Sequence, residues 1–232
     1  FLDSFPQTLY TPCIQLPRKV AMKYLVFSDI HSNLEAFQAM LALDVIQDAD
    51  KILFLGDLVG YGASPNEVMD LFRSLPETHY VRGNHDKVIA DLESSALFNP
   101  VAAFSAEWSK YQLSDANASF LKEMPQGPLI IDRCITICHG SLFDEDFYLF
   151  SNFEAAESFK FMETSLGFFG HTHFPIVYLL RNDRIDTVPL AHSMKIRLDE
   201  NTRYMINPGS VGQPRDRNPD PKIAALEEEL KE

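Results

Sequence analysis

Tyr24-Leu25-Val26-Phe27-Ser28-Asp29-Ile30-His31 decides the fold. Four apolar residues in a row read as a strand covered on both faces, because a half-exposed strand would alternate. The run ends in Asp-x-His, two side chains of the kind that hold metal ions. Outward from it the pattern repeats. Ile52-Leu53-Phe54-Leu55 runs into Gly56-Asp57, and Tyr80-Val81 leads to Gly83-Asn84-His85-Asp86. Helical patterns lie between these runs. Ser32 caps one, with Glu35 at the reciprocal position and Leu34, Phe37, Leu41 and Val45 as its apolar stripe. Ser64-Pro65-Asn66-Glu67 opens another, followed by Val68, Leu71, Phe72 and Leu75 at helical spacing. This βαβ rhythm predicts parallel strands with right-handed crossovers. Each motif then falls at a strand's carboxyl end, where open α/β sheets bind ligands.

Residues 92–124 read as helical, and the stripe of Val101, Phe104, Trp108, Tyr111 and Gln112 reads as core. The second half is strand-rich at 129–131, 135–138, 168–169, 176–180, 184–188 and 204–206. Short polar turns such as Arg181-Asn182-Asp183 predict hairpins and a second sheet packed on the first. His139-Gly140 and Gly170-His171-Thr172-His173 follow two of these strands. The expected organisation is a poorly ordered extension at 1–21, rich in Pro and polar residues, a single domain at 22–220, and an acidic helical tail at 221–232.

A chain of 232 residues with 46% hydrophobic content builds a sizeable core and is not a disordered polymer. Its net charge of −13, with no dense Lys/Arg cluster, argues against long nucleic acid as a partner. A small anionic substrate remains compatible with a site that binds cations. Cys13, Cys134 and Cys138 make no disulfide framework, so a cytoplasmic location is the simpler expectation. No apolar run approaches the length of a membrane span, and residues 1–21 lack the features of a secretory signal.

The motifs together supply Asp29, His31, Asp57, Asn84, His85, His139, His171 and His173; only His79 and His192 fall outside, with no function assigned. Nitrogen and oxygen donors of this kind suit two adjacent divalent ions, Mn, Fe, Zn or Ni, with Mn favoured. A carboxylate such as Asp57 has two oxygens and can bridge. Two cations sharing a water generate hydroxide near neutral pH and take up charge from a phosphoryl group. That is equipment for hydrolysing a phosphate ester.

The ordered set resembles the calcineurin-like metallophosphoesterase superfamily. Gly60-Tyr61-Gly62-Ala63-Ser64-Pro65-Asn66-Glu67-Val68 and Asn207-Pro208-Gly209-Ser210-Val211-Gly212-Gln213-Pro214-Arg215-Asp216 resemble its small bacterial and archaeal phosphodiesterase-like branch. The resemblance covers about residues 22–217. It implies a four-layer α-β-β-α sandwich of two mixed sheets, with a dinuclear site at the strand ends. It also implies roles: Asp29, His31 and His173 on one metal, Asn84, His139 and His171 on the other, Asp57 bridging, and His85 as the general acid. Asp86 either orients His85 or stabilises the start of the following helix. Arg215 is a candidate contact for the substrate phosphate. No Arg follows Asp57 as it does in the family's protein phosphatases, and the strand that related chains carry after Arg217 is replaced here by a helical pattern. Aromatic residues at 143, 147, 148, 150 and 153 follow His139; one or two suit base stacking and more read as core. The expected function is metal-dependent hydrolysis of a phosphodiester or nucleotide, with dinucleoside polyphosphates among the candidates. The alternatives are a protein serine/threonine phosphatase and, in another class, a non-catalytic metal-binding scaffold on the same fold.

Overall fold

The computed structural model describes residues 22–190, 194–220 and 222–227. The expected extension at 1–21 and His192 lie outside the described residues. Strands β1 (Lys23–Phe27), β2 (Lys51–Phe54) and β3 (Thr78–Tyr80) pair in parallel, and β10 (Ala224–Glu227) adds antiparallel to β1, giving the order β10-β1-β2-β3. The second sheet runs β4-β5-β6-β9-β7-β8. Its members are β4 (Leu129–Ile131), β5 (Ile135–Ile137), β6 (Leu166–Phe168), β7 (Ile176–Arg181), β8 (Arg184–Pro189) and β9 (Arg203–Asn207). β5, β6 and β9 are parallel; β4, β7 and β8 are antiparallel to their neighbours.

The continuous apolar runs follow from burial on both sides of the first sheet. Tyr24, Val26, Leu53 and Leu55 face Ile135, Ile137, Phe168, Val177 and Ile206 of the second sheet. Leu25, Phe27, Ile52 and Phe54 face outward, under residues of α1 (Leu34–Leu41), α2 (Asp44–Gln47), α3 (Pro65–Arg73), α4 (Asn84–Ile89) and α6 (Asp115–Glu123). On the far side of the second sheet, Tyr178 and Met205 pack against Ala155 and Phe159 of α7 (Asn152–Phe159). The result is helices, sheet, sheet and helix, the expected α/β sandwich. Among the described residues no helix is long and apolar enough to cross a membrane.

Two expectations fail. Within the tail expected to be helical at 221–232, residues 224–227 form a strand, because the open edge of β1 offers a ladder that local helix preference cannot match, while 221 and 228–232 lie outside the described residues. The aromatic stripe on α5 (Pro100–Gln112) is not core: Val101, Phe104 and Tyr111 are exposed, Trp108 is half-buried, and the face that packs is Ala102, Ser105, Ala106 and Ser109. Small residues let α5 approach closely, and Ser105 Oγ accepts a hydrogen bond from the Tyr61 amide at 3.0 Å.

Candidate metal centre

Both sheets present strand carboxyl ends at one edge, and the loops leaving those ends are sewn together by main-chain bonds. Asp29 N donates to Gly56 O and His31 N to Asp57 O, each at 3.0 Å, and Gly170 N donates to His139 O at 2.7 Å. Val211 N to Ser28 O at 3.0 Å and Gly212 N to Asp29 O at 2.9 Å bring in the loop after β9. These bonds hold an unusual backbone. Asp29, His31, Asp57, His171 and His173 all have positive φ, between 52° and 66°. Each such residue costs on the order of 1–3 kcal/mol and persists only where its surroundings over-determine it. The turns aim the side chains inward.

The donors converge in two overlapping groups. Asp29, His31, Asp57 and His173 place ligand atoms within 4.8 Å of one another, and so do Asp57, His139 and His171. Asn84 Oδ1 lies 3.2 Å from His139 Nε2. Each imidazole is oriented by a peptide oxygen. His139 Nδ1 donates to Leu55 O at 2.7 Å, His173 Nδ1 to Gln213 O at 2.6 Å and His171 Nε2 to Asp146 O at 2.9 Å. His31 Nδ1 makes a longer contact of 3.3 Å with Val59 O. Fixing one ring nitrogen as donor leaves the other as a bare acceptor facing the centre.

That arrangement calls for a cation. His31 Nε2 and His173 Nε2 lie 3.1 Å apart, two lone pairs facing each other. Asp57 Oδ2 is 3.5 Å from His31 Nε2 and 3.4 Å from His139 Nε2, and Asp29 Oδ2 is buried without a partner. Burial opposes a charge on His139, yet the Asp57 carboxylate outweighs it and raises the imidazole to about 10. Burial and the charge on His139 hold His171 down, to about 3. The donor set therefore fits a divalent metal site. Glycine makes the crowding possible: a Cβ on Gly83 would lie 2.1 Å from Asp57 Oδ1, and one on Gly60 2.5 Å from His85 Nδ1.

His85 borders the donors without joining them. Its ring centroid is 4.9 Å from that of His31 and 4.6 Å from those of Tyr61 and Phe98, and its Nδ1 is buried without a partner. Burial lowers its pKa, and Asp57 opposes that shift. Asp86 does not orient His85. Its carboxylate accepts from the amides of Asp57, Leu58, Val59 and Gly83 at 2.8–3.1 Å, so of the two expected roles it fills the one at the helix start, and it also clamps the Asp57 loop. Arg215 is exposed at the rim; its Nη2 donates to Gln213 Oε1 at 3.1 Å, and its positive charge opposes the rise that burial imposes on the Tyr148 hydroxyl pKa.

Several contributors carry no sequence signal. Glu145 accepts two bonds from Arg82, at 3.0 and 2.9 Å, and lies 3.3 Å from Lys87 Nζ, tying the loop at 141–150 to the segment around His85. Tyr148 stacks on His171 with centroids 3.7 Å apart, Phe150 stacks on Tyr148 at 5.1 Å, and Phe174 meets Phe150 edge-on at 6.5 Å. The expectation that most of this loop's aromatics are core is overturned. Phe143, Phe147, Tyr148, Phe150 and Phe153 are all substantially exposed, and Leu142 and Leu149 supply the loop's buried contacts.

Comparison with known proteins agrees with this geometry. The model of the calcineurin-like phosphoesterase superfamily domain matches residues 22–230. An uncharacterized protein of Methanocaldococcus jannaschii is 39% identical over 198 residues, 82% of this chain and 76% of that protein. The crystal structure of a metallophosphoesterase from Sphaerobacter thermophilus superposes with a TM-score of 0.76 at 36% identity, covering 89% of this chain and 84% of the other.

Proposed function

The chain belongs to the calcineurin-like phosphoesterase superfamily and is a metal-dependent phosphoester hydrolase, and from that premise we propose that it cleaves phosphodiesters that carry a nucleoside. Two divalent ions are proposed, Mn favoured: one held by Asp29, His31 and His173, the other by Asn84, His139 and His171, with Asp57 shared. When bound, such a pair supplies an activated water and offsets the charge that builds on the phosphoryl oxygens. His85 is assigned the proton delivered to the departing oxygen, since it touches the donor cluster and keeps a nitrogen free. Arg215 at the rim and the Tyr148 hydroxyl, close enough to feel its charge, are assigned to the phosphate.

The observation that carries the substrate class is the run of stacked rings from His171 through Tyr148 to the exposed Phe150. A nucleobase laid on that surface gains about 1–3 kcal/mol without any sequence readout. The run at 56–62 has no Arg after Asp57, which speaks against a phosphoprotein substrate. Metal-stripped protein reloaded with Mn, Fe, Zn or Ni is assayed on bis-p-nitrophenyl phosphate, p-nitrophenyl phosphate, a dinucleoside tetraphosphate and a phosphopeptide. Turnover of the diester above the monoester and the phosphopeptide is expected, with Mn the most active. Preference for the phosphopeptide overturns the substrate class, and inactivity on all four overturns catalysis in favour of a scaffold.

A further inference from the structure

A cavity of about 340 Å³ opens beside the candidate metal centre, lined by His31, Glu35, Tyr61, Ser64 and Gln213 among others. Ligand sites run from ~300 to ~1,000 Å³, so it has room for one small group. The rings of His31 and Tyr61 that form its inner wall both touch the ring of His85, at 4.9 and 4.6 Å between centroids. His85, the assigned proton donor, is not itself part of the lining and lies one ring behind that wall. In the hydrolysis, water's oxygen joins phosphorus, the bond from phosphorus to the alcohol oxygen breaks, and that oxygen takes the proton of His85. The group beside His85 is the one that leaves.

The lining specifies the chemistry of that group. Its one formal charge is the Glu35 carboxylate, which accepts hydrogen bonds and donates none. Asn33 is already used: its Oδ1 accepts from Ala36 N at 3.1 Å and its Nδ2 donates to Gly212 O at 2.8 Å. Gln213 Oε1 accepts from Arg215, which leaves the amide nitrogen to donate. Ser64 begins α3 with no capping bond from its side chain, so its hydroxyl is available. We infer that this cavity receives the released alcohol, and that the alcohol is polyhydroxylated, of glycerol or sugar type, donating to Glu35 and bonding to Ser64 and Gln213. The inference rests on the phosphodiester reading and sharpens it. A further phosphate in the cavity would meet a carboxylate, and an ammonium group, which accepts nothing, would leave the Gln213 amide nitrogen without a partner.

The test uses the glyceryl, propyl and 2-aminoethyl esters of uridine 5′-phosphate with the full chain loaded with Mn, and bis-p-nitrophenyl phosphate as reference diester. The quantity read is the ratio of kcat/KM for the glyceryl ester to that for the propyl ester. Comparing wild type with a variant cancels the intrinsic difference between the leaving groups, and any partial misfolding lowers both esters alike. Glu35→Ala is expected to reduce the ratio roughly 10-fold, the effect of losing a hydrogen bond to a charged group, chiefly through KM. Ser64→Ala is expected to reduce it by a smaller factor. A ratio unchanged in both variants, or an aminoethyl ester preferred to the glyceryl ester, overturns the inference while hydrolysis of bis-p-nitrophenyl phosphate upholds the phosphodiester reading. If no diester is hydrolysed, that reading falls and this inference falls with it.

Discussion

His85 is surrounded by rings and contributes no atom to the donor groups. Replacing it with Ala should lower kcat by about 10²–10⁴ while bound metal, measured by mass spectrometry, stays at the wild-type level. Loss of metal along with activity would make it a structural residue instead. Gly83→Ala should do the reverse. The added Cβ, 2.1 Å from Asp57 Oδ1 and 2.4 Å from Asp57 N, must push the shared carboxylate aside. Metal content should fall, with overpacking costing about 1–3 kcal/mol in denaturant unfolding. Asp29, His31, Asp57 and the later histidines were legible in the sequence because their chemistry and their place after apolar runs coincide. Arg82, Lys87 and Glu145 were not, because an ion pair between residues about sixty positions apart has no local pattern.

The loop at 141–150 depends on Glu145 as a strand depends on its ladder. Burial raises the Glu145 carboxyl pKa, but the Arg82 hydrogen bonds and the Lys87 charge outweigh it and hold the pKa below its ordinary value. With the folded pKa below the unfolded one, the stabilisation is complete above the unfolded value of about 4.3 and is lost as pH falls through the folded value. Glu145→Gln should therefore cost about 2 kcal/mol at pH 7. The gap in melting temperature between wild type and variant should be constant near pH 7 and narrow as pH falls below the ordinary carboxyl range. β10 makes a comparable claim on the first sheet. Ending the chain at residue 220 would uncover the edge of β1, and a loss of about 2 kcal/mol corresponds to a drop in Tm of about 4–8 °C. The run Ala224-Ala225-Leu226-Glu227 favours a helix when read alone. Only its partner, some two hundred residues earlier, makes it a strand, whereas β1 and β2 declare themselves because both of their faces are buried.

At the scale of the molecule, two sheets built from distant halves of the chain meet where their strands end, and neither half holds the full donor set. Asp29 and Asp57 come from the first sheet's loops; His139, His171 and His173 come from the second's. Metal binding should therefore cross-link the sandwich. At an ion concentration one hundred times Kd, the gain is about 2.7 kcal/mol, read as a Tm rise of roughly 5–11 °C on adding Mn to chelator-treated protein. An unchanged Tm would mean that the donors bind no ion in the folded state. The second sheet and its hairpins were anticipated from polar turns between apolar runs. The oxygens that orient the imidazoles could not be, since every residue has one and only the completed fold selects which are used. Those oxygens at Leu55, Asp146 and Gln213 have a consequence for inheritance. A codon change swaps a side chain and cannot delete a peptide carbonyl. Drift at these three positions leaves the imidazole tautomers as they were, and a lineage would have to reroute the main chain, by insertion or deletion, to lose them.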